Sequence, residues 1–248
     1  MKKILAIIPA RYASTRFPAK PLVDIGGKSM VQRVYEQVKK TPGISNTVVA
    51  TDNQKIFDHV IGFGGAVCMT KESHVSGTDR CYEALTIQSG SYDYVINIQG
   101  DEPFIQPEQI NLLSELLDGE TEIATLAKQI ESPEQVFNPN VVKVVFSKNQ
   151  EALYFSRSTI PHIRNTLEND WLKKHHFYKH IGMYAYRADI LKRLTELPVS
   201  TLEKAESLEQ LRWLENGFRI KVAETKQETI GIDTPEDLKL ALTHLTSL

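Results

Sequence analysis

Cysteine is scarce: Cys68 and Cys81 are the only two in 248 residues, and neither stands at metal-ligand spacing from a second ligand type. That excludes a disulfide-stapled framework and fits a reducing compartment. Long apolar runs are missing too. None reaches the roughly 20 residues that a membrane helix needs. The apolar stretch 4–8 behind Met1-Lys2-Lys3 is too short for a signal-peptide core, and Arg11 and Arg16 stand where a cleavage site would fall. Neither sign of charge is in excess, with 29 Lys and Arg against 31 Asp and Glu. That balance argues against a dedicated nucleic-acid or membrane surface. Repeats, linkers and low-complexity tracts are absent. The expectation is a soluble cytoplasmic protein with one domain over residues 1–248, large enough to bury a sizeable core.

What is present alternates strand with helix. The run 4–8 is a buried strand that Pro9 ends, because proline cannot donate to a ladder. Gly27-Lys28-Ser29 imitates the end of a P-loop, but that motif needs glycine at 22, where Leu22 stands. Ser29, with Gln32 three residues on, is a helix start of capping-box spacing. The helix that follows carries Met30, Val31, Val34, Tyr35 and Val38 on one side. A strand at 47–51 ends at Asp52, which can cap a helix carrying Ile56, Val60 and Ile61. A third strand spans 66–69, and a helix opens at Ser76-Gly77-Thr78-Asp79-Arg80. The strand 94–98 leads into Gln99-Gly100-Asp101-Glu102-Pro103, and a helix follows from Pro107. Such an order predicts an α/β fold, a mostly parallel sheet with helices on both faces. Strand-like stretches at 124–130, 141–146, 152–155 and 180–187 then predict a smaller mixed or antiparallel lobe, about 123–190, inserted in the domain. Helices resume at 188–196 and 208–216, and a late strand at 219–223 precedes Asp233 and a last helix.

The carboxyl ends of parallel strands are where such sheets bind ligands. Arg11, Arg16 and Lys20 share a small-residue loop there with almost no acid to pair them. They form either a polyphosphate receptor or a solvated basic loop. Asp101 ends a buried strand, and Asp233 directly precedes the helix start Thr234-Pro235-Glu236-Asp237. Strand-end carboxylates of this kind either hold Mg²⁺ that bridges substrate phosphates or form caps and turns. Two acids opposite three bases favour the metal and polyphosphate. Arg157 and Arg164 could hold a substrate carboxylate or lie on the surface. His180 alone would be a structural histidine, and Glu209 and Gln210 exposed helix residues.

The assembled motifs resemble one family. The stretch Ile8-Pro9-Ala10-Arg11-Tyr12-Ala13-Ser14-Thr15-Arg16-Phe17-Pro18-Ala19-Lys20-Pro21-Leu22 is similar to the nucleotide loop of the 3-deoxy-manno-octulosonate (Kdo) cytidylyltransferases, or CMP-Kdo synthetases. So are Ser76-Gly77-Thr78-Asp79-Arg80, Asn97-Ile98-Gln99-Gly100-Asp101-Glu102-Pro103, Tyr154-Phe155-Ser156-Arg157, His180-Ile181-Gly182, Leu208-Glu209-Gln210 and Gly231-Ile232-Asp233-Thr234-Pro235. The resemblance implies a Rossmann-like nucleotidyltransferase fold, Mg²⁺ dependence, a homodimer, CTP and Kdo as substrates, and a role in lipopolysaccharide biosynthesis. It places Arg11, Arg16 and Lys20 on the triphosphate, and Ala10, Ser76, Gly77 and Arg80 around the cytidine. It assigns Asp101 and Asp233 to the metal. Gln99, Arg157, Arg164, His180, Tyr184, Glu209 and Gln210 would line the sugar-acid pocket. The same chemistry would serve another acidic sugar, a sialic acid or the 8-amino analogue; a non-catalytic nucleotide-binding homologue is the other alternative. Ala19 replaces the family's usual glycine, so the backbone there is expected to avoid left-handed angles.

Overall fold

The computed structural model describes residues 2–13, 17–228, 231–232 and 234–245. Two expected site residues, Arg16 and Asp233, lie outside them. The chain divides into two compact units, one formed by Met1–Ser114 with Thr229–Leu248 and the other by Glu115–Glu228. The second unit extends beyond the 123–190 stretch on both sides.

The first unit runs β1 (Ile4–Ala10), α1 (Met30–Lys39), β2 (Asn46–Thr51), α2 (Gln54–Gly62), β3 (Val67–Met69), α3 (Gly77–Ile87), β4 (Tyr94–Asn97) and α4 (Pro107–Glu115). Its strands lie in the order β3-β2-β1-β4, all parallel. β1 is buried on both faces from Ile4 to Ile8, as a central parallel strand should be. Met30, Val31, Val34 and Val38 of α1 are buried, and Ser29 accepts the Gln32 N–H at 3.3 Å. Ser29 makes half of a capping box, since the Gln32 amide donates to Glu36 instead. Two details differ from the sequence pattern. Asn53, not Asp52, caps α2, accepting the Lys55 N–H at 3.0 Å. Ile61 is 57% exposed, because only the i,i+4 pair Ile56 and Val60 faces inward.

Ala19 is a third correction. It sits at φ 57°, ψ 19°, in the left-handed region, where its N–H donates to the Tyr12 carbonyl at 3.1 Å and it starts the 3-10 turn Lys20–Leu22. Closing the basic loop imposes this angle, and a Cβ there costs about 1 kcal/mol. Ala19→Gly is therefore expected to raise unfolding free energy by about 1 kcal/mol, measured by denaturant titration; no gain would mean that the loop is unstrained.

The second unit contains β5 (Ile123–Gln129), α5 (Pro133–Phe137), β6 (Lys143–Phe146), β7 (Ala152–Ser156), α6 (Trp171–Lys174), β8 (Tyr178–Arg187), α7 (Ala188–Thr195), α8 (Thr201–Glu206), α9 (Glu209–Glu215) and β9 (Ile220–Glu224). β5 lies between antiparallel β8 and parallel β9, and β6 pairs antiparallel with β7 and β8. Met183, Tyr184, Ala185 and Tyr186 are all buried, so β8 is covered on both faces rather than on alternate residues. Trp213 of α9 packs edge-on to Tyr184 and Tyr186 at 5.0 and 5.6 Å. Trp171, the first residue of α6, joins Ile130, Val136 and Phe177 in a core cluster.

α10 (Pro235–Leu245) returns to the first unit. Thr234 and Asp237 cap it reciprocally: Thr234 N–H donates to the Asp237 carboxylate at 2.9 Å, and Asp237 N–H donates to Thr234 Oγ1 at 3.2 Å. Ile232 and Ala241 pack with Ile25 and Met30, which brings the late chain back beside the start of α1. No helix among the described residues is long and apolar enough to cross a membrane.

Candidate functional site

Parallel register carries the carboxyl ends of β1, β2, β3 and β4 to one edge of the first sheet. Lys20 and Asp101, 81 residues apart, meet there with Nζ 2.9 Å from Oδ2. Gly100 makes the approach possible: a Cβ at that residue would lie 2.6 Å from the Pro9 carbonyl oxygen of β1. Ile232, the residue before Asp233 in the chain, donates its N–H to the Asp101 carbonyl at 2.9 Å.

Ser76 caps α3, accepting the Asp79 N–H at 3.1 Å, and Gly77 lies over the ends of β1 and β4, where a Cβ would meet Asn97 Nδ2 at 3.4 Å. Ala10 ends β1 and is buried. Arg11 is half-exposed, 4.0 Å from Asp52. Arg80 is placed differently from a surface contact. It is fully buried, donating to Asp52 at 2.7 Å and to Thr70 at 2.5 Å, so it holds the ends of β2 and β3 together. Asp52, which the pattern marked only as a helix cap, is the acid that makes this buried charge tolerable.

Glu102 is the acid that sequence reasoning passed over. Its Oε2 is buried with no hydrogen-bond partner among the described residues. Burial, and then the neighbouring Asp101 charge, push its carboxyl up to about 8. Its only sequence signal is its place beside Asp101. A hard divalent cation suits this donor set, since carboxylate oxygens crowd one sheet edge and one of them lacks a partner. No cluster of three or more metal-ligating side chains occurs among the described residues, which do not include Asp233.

In the second unit, His180 lies between Phe155 and Tyr184, with ring centroids 5.1 Å from each. Its Nε2 is 3.0 Å from Thr125 Oγ1, and burial pushes the imidazole down to about 3. It is neutral throughout the physiological range. Tyr184 is buried, its hydroxyl has no hydrogen-bond partner among the described residues, and burial raises its pKa, with the Tyr186 and Glu209 charges adding to the shift. Gln210 is 5% exposed, unlike the exposed residue its polarity suggests. Gln99 is half-buried in the loop after β4 of the first unit.

The two arginines differ. Arg164 is exposed, and its guanidinium has no partner among the described residues. Arg157 is spent on main chain: Nε donates to the Glu206 carbonyl at 2.7 Å, and the terminal nitrogens donate to Pro139 at 3.2 Å and Ser207 at 3.4 Å. The Glu206 carboxylate in turn accepts from Ser156 Oγ at 2.6 Å and Arg157 N–H at 2.9 Å. These bonds tie the end of β7 to the α8–α9 joint, two residues before Glu209. Lys143, fully buried, donates to the carbonyls of Asn138, Val141 and Arg157 at 2.9, 2.7 and 2.7 Å. The pattern gave no signal for Lys143 or Glu206, because their partners are carbonyls and a residue distant in sequence.

His180 sets a pH dependence of stability. Its folded value lies below the unfolded 6.5, so the unfolded chain binds the extra proton between the two. The stability it contributes is present above 6.5 and is lost as pH falls toward 3. Between pH 7 and 5 the wild type is expected to lose up to about 2 kcal/mol more than His180→Gln, compared by urea titration at both values. Equal losses would place the imidazole in solvent.

A parallel sheet whose carboxyl edge gathers lysine, arginine and aspartate, joined to a mixed sheet unit, defines a nucleotidyltransferase-type α/β protein. A cytidylyltransferase family model matches residues 5–226. The 3-deoxy-manno-octulosonate cytidylyltransferase of Parabacteroides distasonis is 58% identical over 252 residues, covering 100% of both chains. That of Cytophaga hutchinsonii is 58% identical over 98% of each. A solved structure of CMP:2-keto-3-deoxy-manno-octonic acid synthetase complexed with CTP is 42% identical, with a TM-score of 0.92 and 99% of both chains covered. The chain belongs to the 3-deoxy-manno-octulosonate cytidylyltransferase family.

Proposed function

We propose that the chain transfers the cytidylyl group of CTP to the anomeric hydroxyl of Kdo, giving CMP-Kdo and pyrophosphate for lipopolysaccharide synthesis. The Lys20–Asp101 pair at the sheet edge, with Ile232 bonded to Asp101, carries this reading. Arg11, Arg16 and Lys20 hold the triphosphate, and Lys20 gives its charge to the departing pyrophosphate. Ala10, Ser76 and Gly77 surround the cytidine, and Arg80 braces that edge from beneath. Asp101 and Asp233 would hold Mg²⁺, which when bound supplies Lewis-acid polarisation at the α-phosphate and lowers the pKa of the sugar hydroxyl. Arg164 takes the sugar carboxylate, and His180, Tyr184, Glu209 and Gln210 take its hydroxyls. Arg157 positions α9. His180 is too weak a base to withdraw the hydroxyl proton, and serves as a hydrogen-bonding contact. A cytoplasmic homodimer belongs to the same reading, with Leu153 and Leu167 as exposed apolar residues of the second unit; light scattering tests the dimer.

Pyrophosphate release tests the reaction. Release is expected with CTP, Kdo and Mg²⁺ together and is lost when any one is omitted. No release with Kdo, or equal release with a sialic acid, would overturn the substrate assignment.

A further inference from the structure

Thr125 lies on β5 where its register with β8 slips. It stands opposite Tyr184, whereas the next residue, Leu126, stands opposite Ile181. The two additional residues of β8 form a bulge, and such bulges re-aim backbone groups. Here the carbonyls of Ile181 and Met183 both turn onto the Thr125 hydroxyl, at 3.1 and 2.8 Å, while His180 Nε2 approaches it at 3.0 Å. Thr125 is fully buried.

A hydroxyl carries one hydrogen, and a carbonyl oxygen can only accept. If that hydrogen went to the imidazole, two carbonyl oxygens would crowd the hydroxyl oxygen at about 3 Å with no proton between them. The hydrogen therefore goes to a carbonyl, Met183 being the nearer. Oγ1 then has lone pairs to offer, and Nε2 must bring the proton. A neutral imidazole has only one N–H, so the other nitrogen is a bare acceptor. Nδ1 has no partner among the described residues. Phe155 and Tyr184 pack against the ring, with centroids 5.1 Å from each.

We propose that Thr125 is a positioning residue that fixes His180 in its Nε2–H tautomer and thereby makes Nδ1 the acceptor for a hydroxyl of the sugar acid. The second half rests on the function proposed above; the first half does not. The arrangement sets specificity, because the ligand must bring a proton to Nδ1. An analogue with a methoxy group in place of that hydroxyl leaves two acceptors facing each other.

Long-range proton–nitrogen correlation NMR on protein labelled in histidine tests the tautomer, with His180 assigned by its loss in His180→Gln. The wild type is expected to show a protonated Nε2 and a bare Nδ1. Thr125→Val should change that signature, and Thr125→Ser should restore it. In turnover, Thr125→Val should raise KM for Kdo about tenfold, leave KM for CTP within about twofold, and be rescued by serine. A protonated Nδ1 in the wild type overturns the proposal, as does an unchanged signature in Thr125→Val. An altered signature with unchanged KM for Kdo overturns its second half. If valine prevents folding, the wild-type spectrum and the serine variant still decide the tautomer. A protonated Nε2 in a protein that does not use Kdo would sink the substrate reading alone.

Discussion

Asp101→Asn is expected to lower turnover about a thousandfold or more, with the fold intact. The substitution keeps size and shape and removes one negative charge. The fold should survive because the structural bond at this residue runs through its backbone carbonyl, which accepts from Ile232 and which asparagine retains. The carboxylate itself is one-third exposed and touches Lys20 at 2.9 Å, so its loss costs the core nothing. Chemistry is affected differently. An acidic side chain at this edge is what lets the site draw a divalent cation and hold Lys20 at a fixed place. Losing a contribution of about 4 kcal/mol to transition-state stabilisation corresponds to about three orders of magnitude in rate. A second readout separates charge from shape. With the Asp101 charge gone, the Glu102 carboxyl should titrate below its value of about 8, since that charge is the second cause of its elevation. Near-normal turnover at saturating magnesium would remove Asp101 from the metal assignment.

The fold class was legible because the apolar runs 4–8 and 94–98 have the length and continuity of buried parallel strands. Pro9, however, does not end the first, since β1 continues to Ala10 in register with β2. Pairing with β4 has already stopped at Ile7, so the missing N–H breaks no ladder bond there. Helix starts at Ser29, Ser76 and Thr234 were legible because capping is local chemistry. What escaped the sequence is non-local. Asp52 was given to α2, but its partner is Arg80, which only the neighbouring strand ends bring near. The Ala19 angle escaped because a propensity forbids what loop closure demands. α6 left no trace in the sequence pattern, since a helix of four residues has too few positions to show a period. In the site, the identities of the sugar-side residues came from resemblance. Their states did not: the neutral His180, the buried Gln210 and the fully committed Arg157 follow from packing and from carbonyls that no side-chain pattern reports.

Gly100→Ala should do more damage than its size suggests. The added Cβ would meet the Pro9 carbonyl oxygen at 2.6 Å and Ile8 Cγ2 at 3.7 Å. Pro9 belongs to β1, which is bonded on both sides, to β2 and to β4, so the strand cannot give way. The loop after β4 must retreat instead, by about half an ångström before the contact becomes tolerable. Asp101 is the next residue, and its carboxylate and carbonyl are the partners of Lys20 and Ile232. Overpacking of this kind costs about 1–3 kcal/mol of stability, and a displacement approaching 1 Å at a reacting centre costs about a hundredfold in rate. The expected result is therefore a modest fall in melting temperature with a much larger fall in kcat. Gly62→Ala is the control, because a Cβ there meets nothing within 4 Å, and it should leave turnover unchanged. If Gly100→Ala keeps wild-type kcat while its melting temperature falls, the close approach serves packing alone and something else places Asp101. If both variants behave as wild type, the contact with Pro9 is not made in solution.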